Sequence, residues 1–444
     1  MDVVIGILLI ISFLLFAVYA MKGGNLMLGF FCMAVLWAGL GAIAGVTVWN
    51  DPSGEILDIN TGIFQNGPTS YGSSAAIIIF GSWFGEVLVE TGIAKTIIRK
   101  AVELGGDHPA LTCSLLTIIV SVIFCTAYGV GAVIAIGCII FPILLALGVP
   151  KPLAAGSFLM AVGCGLYFNK SWFALFEGLM EGISYSTNYK IFAAIAFALQ
   201  LLATILMIII IMKRQKKKGR AATAWAAKSP IETDASEKNV NFMACLTVII
   251  SPLLCIVFNV QVIPSILIAV IWAVLWTGYF KSWSKLGTML QKTFQNGVAS
   301  IGLVLGMLMM IQMYQQAAKV CAPLLSPILS PIMPNQTIWL VVIFAVLAFL
   351  ALFRGPLTVW GAGGATLTMM QGLNIYPVHV LFPRFFIPST AINGSICPTQ
   401  SWCVWAIGYT KISTKEYLKT VLPYALAVAF ILQFVAYFVF ANGF

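Results

Sequence analysis

The chain is 444 residues long, 61% hydrophobic and only 9% charged, with a mean hydropathy of +1.01. A soluble domain carries roughly 25% charged residues, so a soluble enzyme and a disordered chain are both excluded. The net charge of +10 is not a nucleic-acid footprint, because most basic residues lie at the ends of apolar segments, where they orient a membrane protein.

Apolar stretches beyond roughly 18 residues recur, which predicts an all-α polytopic membrane protein of about 10–12 transmembrane helices. The first helix is expected over 2–20; the Met-Asp start lacks a basic n-region, so this reads as a membrane helix and not a cleaved signal. A second follows over 25–46. The loop 47–72 carries Asp51, Glu55 and Asp58 and no base. A third helix, 73–91, precedes a basic amphipathic piece with Lys95, Arg99 and Lys100. Residues 109–128 open a glycine-interrupted region, and 190–212 is a long apolar helix. The basic linker 213–240, with Lys213, Arg214, Lys216, Lys217, Lys218 and Arg220, is expected in the cytoplasm of a cell inner (plasma) membrane protein. Helices are expected at 241–258, 262–280 and 296–318, then a proline-rich loop (Pro323, Pro327, Pro331, Pro334). A second interrupted region begins after 336–353, and 420–441 is the last helix. The ten cysteines form no CxxC pair and read as reduced, buried thiols. No cofactor or metal cluster is expected.

The two interrupted regions echo each other. Val130-Gly131-Ala132 aligns with Trp360-Gly361-Ala362, and Asn169-Lys170-Ser171-Trp172 with Thr399-Gln400-Ser401-Trp402, at an offset of 230. The acidic loop before the third helix predicts an outside location. The segment before 296–318 carries Lys281, Lys285 and Lys292 and no acid, which predicts an inside location. FGSWFGEVLVETGIAK (80–95) and LGMLMMIQMYQQAAK (305–319) then cross in opposite directions, as in an inverted repeat, with parallel repeats or none as the alternative. The division is 1–212, the linker 213–240, and 241–444.

Non-helical backbone at membrane depth is tolerated only where protein buries it or it lines a wet cavity. The breaks at Thr126–Gly131, Tyr167–Ser171, Arg354–Gly364 and Pro388–Ser401 therefore mark the candidate site, because broken helix ends offer free N–H groups to an anion. No acid lies between residues 238 and 415, so the second region holds Arg354 and Arg384 without a carboxylate. This favours an anionic substrate bound by Arg354; snorkelling of Arg354 at a helix end is the competing reading, and it leads for Arg384. Lys170 lies in the first break and has the same two readings.

Hydrogen bonds to the substrate are expected from Thr358, Asn393, Ser395, Thr399, Gln400, Asn169 and Ser171. Thr126, Tyr128, Gly131, Gly361 and Trp360 are expected to form its walls. For proton coupling the candidates are Glu86, inside the third helix, and Glu177. Glu90 reads as paired with Lys95 or exposed, Glu181 as a second member of the Glu177 face, His108 as exposed in a loop, and His379 as structural.

The passage FPILLALGVPKPLAAGSFLMAVGCG (141–165) resembles the gluconate permease and citrate–proton symporter families of the ion transporter superfamily, and the likeness spans both interrupted regions. The resemblance implies two re-entrant hairpins in two inverted repeats, with tips at Thr126 to Gly131 and Gly355 to Gly361. It implies unwound helices at Asn169 to Ser171 and Asn393 to Ser401, and an elevator-type transporter. The chain has Cys125-Thr126-Ala127 and Pro356-Leu357-Thr358 where the sodium-coupled branch has Ser-Asn-Thr, which favours protons over sodium as the coupling ion. The expectation is a secondary active transporter, a symporter of a small organic anion such as a sugar acid, a citrate-like acid or a hydroxy acid. It would work as a homodimer in the lipid bilayer, without nucleic acid. A cation/proton antiporter and a channel are the rivals. An intramembrane enzyme is disfavoured because there is no HExxH and no serine–histidine pair at helical spacing.

Overall fold

The computed structural model describes residues 2–46, 48–50, 56–106, 108–217 and 240–444. Most of the expected basic linker, including Lys218 and Arg220, and the acids Asp51, Glu55 and Asp107 lie outside the described residues.

The first half runs α1 (Asp2–Met21), α2 (Leu26–Ile43), a two-stranded antiparallel ribbon of β1 (Val48–Asn50) and β2 (Ile56–Asp58), and a π-helical turn, Ile59–Gln65. It continues with α3 (Asn66–Ser70), α4 (Gly72–Glu90), α5 (Ile93–Gly105), α6 (Pro109–Phe124), α7 (Val130–Ala146), α8 (Lys151–Leu166), α9 (Lys170–Glu177) and α10 (Thr187–Lys217). The second half runs α11 (Phe242–Cys245), α12 (Thr247–Ile256), α13 (Val262–Thr277) and α14 (Trp283–Leu329). Then come α15 (Thr337–Val346), a 3-10 stretch Ala348–Arg354, α16 (Gly363–Leu373), α17 (Val378–Ile387), a π-helical stretch Pro388–Gly394, α18 (Ser401–Thr410) and α19 (Thr414–Val439).

Among the described residues, six helices are long and apolar enough to cross a membrane, or eight if two bent pairs each count as one span. The bent pairs are α8 with α9, at 63°, and α15 with Ala348–Arg354, at 57°. Four further apolar helices are shorter, including both arms of the α6–α7 hairpin, which accounts for the difference from the ten to twelve expected. The protein is an all-α, multi-pass membrane protein. Outward-facing Leu14, Leu15, Ile271 and Phe438 are exposed, as a lipid-facing surface requires.

The expected helix 296–318 is the middle of a much longer one. The basic segment before it and half of the expected proline loop are both helical, and α14 holds Pro323 and Pro327 inside it. Such prolines are tolerated in membrane helices because neighbours re-satisfy the backbone groups they free. At about 1.5 Å per residue its 47 residues extend about 70 Å, more than twice a hydrocarbon core of about 30 Å.

Helices α4 and α14 pack antiparallel. Gly67, just before α4, lies against the backbone of Met313, the Ser82 hydroxyl bonds Gly297 O at 2.9 Å, and Lys292 pairs with Glu90 at 2.8 Å. Glycines let the helices approach closely, as is common in membrane bundles. At Gly81 a Cβ would collide with Ser171, and at Gly85 it would lie 3.0 Å from Tyr128 O.

Candidate functional site

The α6–α7 hairpin turns at Cys125–Gly129. Gly129 has φ +107, a conformation that disfavours any side chain. The carbonyls freed where α6 ends do not stay orphaned. Asn169 Nδ2 donates to Phe124 O and to Ala127 O, both at 2.9 Å, while Asn169 Oδ1 accepts from Trp172 N at 2.9 Å. Asn169 thus caps α9 and fastens the hairpin tip to the break between α8 and α9.

The second tip is stranger. Leu352 leaves the helical region, and Phe353 and Arg354 take φ of +52 and +59. The turn is closed by Ala362 N to Arg354 O at 2.9 Å and Gly363 N to Gly355 O at 3.1 Å. At Gly361 a Cβ would collide with Arg354 O, so this glycine is required by close approach. Val359 N donates to Ser389 Oγ at 3.1 Å, tying the tip to the π-helical break after α17. Pro388 cannot donate to Arg384 O four residues earlier, and Gln433 Nε2 fills that place at 3.5 Å.

Both tips and the second break meet at one cavity of about 390 Å³. Its polar wall holds Arg354, Thr399, Gln400, Ser401 and Ser300. Tyr128, Trp360 and Trp402 supply aromatic faces, and Met27, Ile301, Val304 and Met307 an apolar side. Arg354 is half-buried and spends Nη1 on Gly24 O at 3.1 Å, which anchors the guanidinium beside the α1–α2 turn. Helices α7 and α18 both begin at this cavity, and neither N-terminus is capped by a side chain. Their first N–H groups therefore add partial positive charge to that of Arg354. Trp360 is 6% exposed and its Nε1 finds no hydrogen-bond partner. None of the described residues lining the cavity is acidic.

Of the residues expected at the site, Arg354, Tyr128, Thr399 and Gln400 line this cavity together with Trp360. The others do not line it. Thr358 is fully buried and takes a bond from Trp360 N at 3.4 Å. Ser395 Oγ is held between Thr390 O, 2.7 Å, and Gln200 Nε2, 3.0 Å. Asn393 is buried with an unpartnered Oδ1, Asn169 is spent on the cap, and Gly361 acts through the turn. Thr126, Lys170 and Ser171 lie at a separate crevice of about 20 Å³, where Lys170 Nζ sits 4.7 Å from the centre of the Tyr185 ring. At Asn169, Ser395 and Thr358 the break frees backbone groups, and the nearest polar side chain satisfies them before a ligand can.

Gly131 lies against Glu86: a Cβ there would collide with Glu86 Oε1. The carboxylate expected in the third helix is therefore beside the first turn of α7, with the Ser300 side chain close by. Glu177 faces elsewhere. It lines a second polar cavity of about 530 Å³ with Glu181, Lys319 and the amides of Gln312, Gln315 and Gln371. Gln312 Nε2 donates to Gly178 O, and Gln315 and Gln371 donate to Leu179 O at 3.0 and 3.2 Å. The two cavities use adjacent stretches of α14, Ser300–Met307 and Gln312–Lys319. Between the two polar breaks stand Trp172 and Trp360, ring centres 5.0 Å apart, with Trp172 Nε1 bonded to Thr390 Oγ1 at 2.9 Å. Glu90 pairs with Lys292, not with Lys95.

Arg384 corrects its expectation most sharply. It does not snorkel: it is 1% exposed, and its Nε and Nη1 have no partner among the described residues. The sequence reading missed Ser300 and the Gly23–Met27 turn. Ser300 sits in a helix with no local signal, and the turn reaches Arg354 only through the fold.

No protein-family model and no curated protein matches the chain. Among solved structures it is similar to the YdaH transporter of Alcanivorax borkumensis, at a TM-score of 0.61 and 13% identity, covering 94% of this chain and 99% of that one. At that identity the likeness establishes the fold.

Proposed function

We propose that this chain is a secondary active transporter of a small organic anion, a carboxylate with an apolar portion. The observation that carries the reading is the cavity where Arg354 and the uncapped N-termini of α7 and α18 converge with no acidic residue among the described residues of its lining. Fixed donors and dipoles of this kind stabilise an anion, and the apolar side formed by Met27, Ile301, Val304 and Met307 would desolvate the rest of it. The similarity to a transporter's fold supports the class.

In this reading the halves are inverted repeats, the cavity beside Lys22–Asn25 faces the cytoplasm, and the Glu177 cavity faces outward. Bases crowd the first end of the bundle, with Lys100, Lys285, Lys292, Lys411 and Lys415. Access alternates as the hairpin tips and breaks, tied together by Asn169 and Ser389, move as a body past the remaining helices in an elevator motion. Coupling is to protons through Glu86.

The test is thermal stabilisation of the purified protein by gluconate, citrate, lactate and benzoate, at pH 5.5 and 7.5, with and without sodium. A ligand that binds only the folded form raises the melting temperature by mass action. At least one carboxylate is expected to do so, and Arg354→Ala is expected to abolish the rise. Stabilisation by sodium alone, indifferent to Arg354, would replace this reading with the cation/proton antiporter.

A further inference from the structure

On the membrane-facing surface, away from the anion cavity, a groove of about 320 Å³ runs between α5, α6 and the α11–α12 segment. Its walls are apolar, and several of them are open to the surroundings: Leu104 is 77% exposed, Phe242 61% and Ile249 49%. Among the described residues the groove has one charged lining residue, Lys100, and none that is acidic. Lys100 is exposed and forms no ion pair or hydrogen bond among the described residues. It lies on α5, which buries Ile93, Ala94, Ile98 and Ala101 and also carries Lys95 and Arg99, the pattern of a helix lying in the membrane interface. Val240 N bonds Thr96 Oγ1 at 3.3 Å, so the chain that returns from the basic linker arrives beside the same helix.

We infer that this groove is a binding site for an anionic phospholipid, with an acyl chain along Ile118, Phe242 and Ile249 and the phosphate at Lys100. A single cation at one end of an otherwise apolar trough matches an amphiphile with one anionic head and a hydrocarbon tail. It does not match a peptide, whose backbone polar groups would go unpaired there, nor a zwitterionic lipid, whose headgroup gains nothing from the lysine. The groove separates the hairpin arm α6 from α12. A lipid held in it sits on the seam between a part that carries an interrupted tip and a part that does not.

The site is tested by native mass spectrometry of the full chain after delipidation and add-back of phosphatidylglycerol or phosphatidylcholine. The wild type is expected to retain phosphatidylglycerol about fivefold over phosphatidylcholine, the preference one interfacial lysine provides. Lys100→Glu is expected to bring the ratio to about one, and Lys100→Gln to lower it in the same direction. Ile249→Trp, which fills the groove, is expected to reduce retention of both lipids, with melting temperatures confirming that each variant is folded. Lys285→Glu, an exposed base on α14, should leave the ratio unchanged. Retained preference in Lys100→Glu, equal loss in Lys285→Glu, or undiminished binding in Ile249→Trp would each show only non-specific annular lipid and overturn the site.

Discussion

Glu86 and Gly131 form the most consequential pair of residues outside the cavity itself. Gly131 belongs to the first turn of α7, whose free N–H groups face the anion cavity through Val130 and Gly129. An ionised Glu86 there is a second anion beside the same helix N-terminus, so substrate and deprotonated Glu86 compete for one positive dipole end. The charged groups acting on Glu86 are Glu90, one turn along α4, and Lys292 from α14; of the other helices packed on α4, α7 and α13 present no charged residue, while α5 carries Lys95 and Arg99 and α9 carries Lys170 and Glu177. Anion affinity in the wild type is expected to fall as pH rises and Glu86 loses its proton. Glu86→Gln is expected to bind with a flat pH profile, read by calorimetry between pH 5 and 8. A variant with the wild-type slope would remove Glu86 from coupling while leaving the Arg354 site intact. Gly131→Ala should displace the carboxylate, since only the end of a flexible side chain blocks the new methyl, and should also flatten the profile. Arg354 and Glu86 were legible in the sequence because charges inside apolar runs are rare and carry information. The hydrogen-bonding residues were less so. Thr358, Ser395 and Asn169 looked like ligand donors, but the interrupted backbone consumes them.

At the scale of elements, the breaks hold together through a few side chains. Asn169 makes three bonds that no smaller residue can copy. Asn169→Ala loses an N-cap, about 0.5–2 kcal/mol, and orphans two buried carbonyls at about 1–3 kcal/mol each. The expected result is a clear fall in melting temperature. Asn169→Asp can still cap α9 but cannot donate to Phe124 O and Ala127 O, so it should rescue little; full rescue would show that the cap alone matters. Gly165 supplies a related constraint: a Cβ there would lie 2.5 Å from Ser121 O and 2.6 Å from Phe124 C. Gly165→Ala must push backbone apart, at about 1–3 kcal/mol. Helix positions from apolar run length were accurate for α1, α4, α13 and α19 because membrane helices announce themselves by composition. The ends of α14 were missed because a lysine ends an apolar run without ending a helix, and because proline, a helix breaker in water, is tolerated where neighbours satisfy the backbone groups it frees.

For the whole molecule, the proposed orientation puts the basic end of the bundle, with Lys285 and Lys292, in the cytoplasm. Cysteine placed at Lys319, in a background with the native cysteines replaced, is expected to react with an impermeant maleimide from outside intact cells. Cysteine at Lys285 is expected to react only after permeabilisation, and the reverse pattern would invert the topology. Loop charge placed 80–95 and 305–319 in opposite directions, as α4 and α14 run, but gave no sign that the two pack against each other. Nor was the shared cavity foreshadowed, since the α1–α2 turn reaches Arg354 across 330 positions of sequence.

One consequence of α14 follows from its length alone. A single continuous helix touches both cavities, at Ser300 and at Gln315, about 22 Å apart along its axis. In the proposed elevator motion it would serve as a fixed ruler past which the other parts shift. Spin labels on its outward face beside those two positions should keep one separation in every state of the transport cycle. Labels from either position to the hairpin tips should report two, and the difference between them is the stroke.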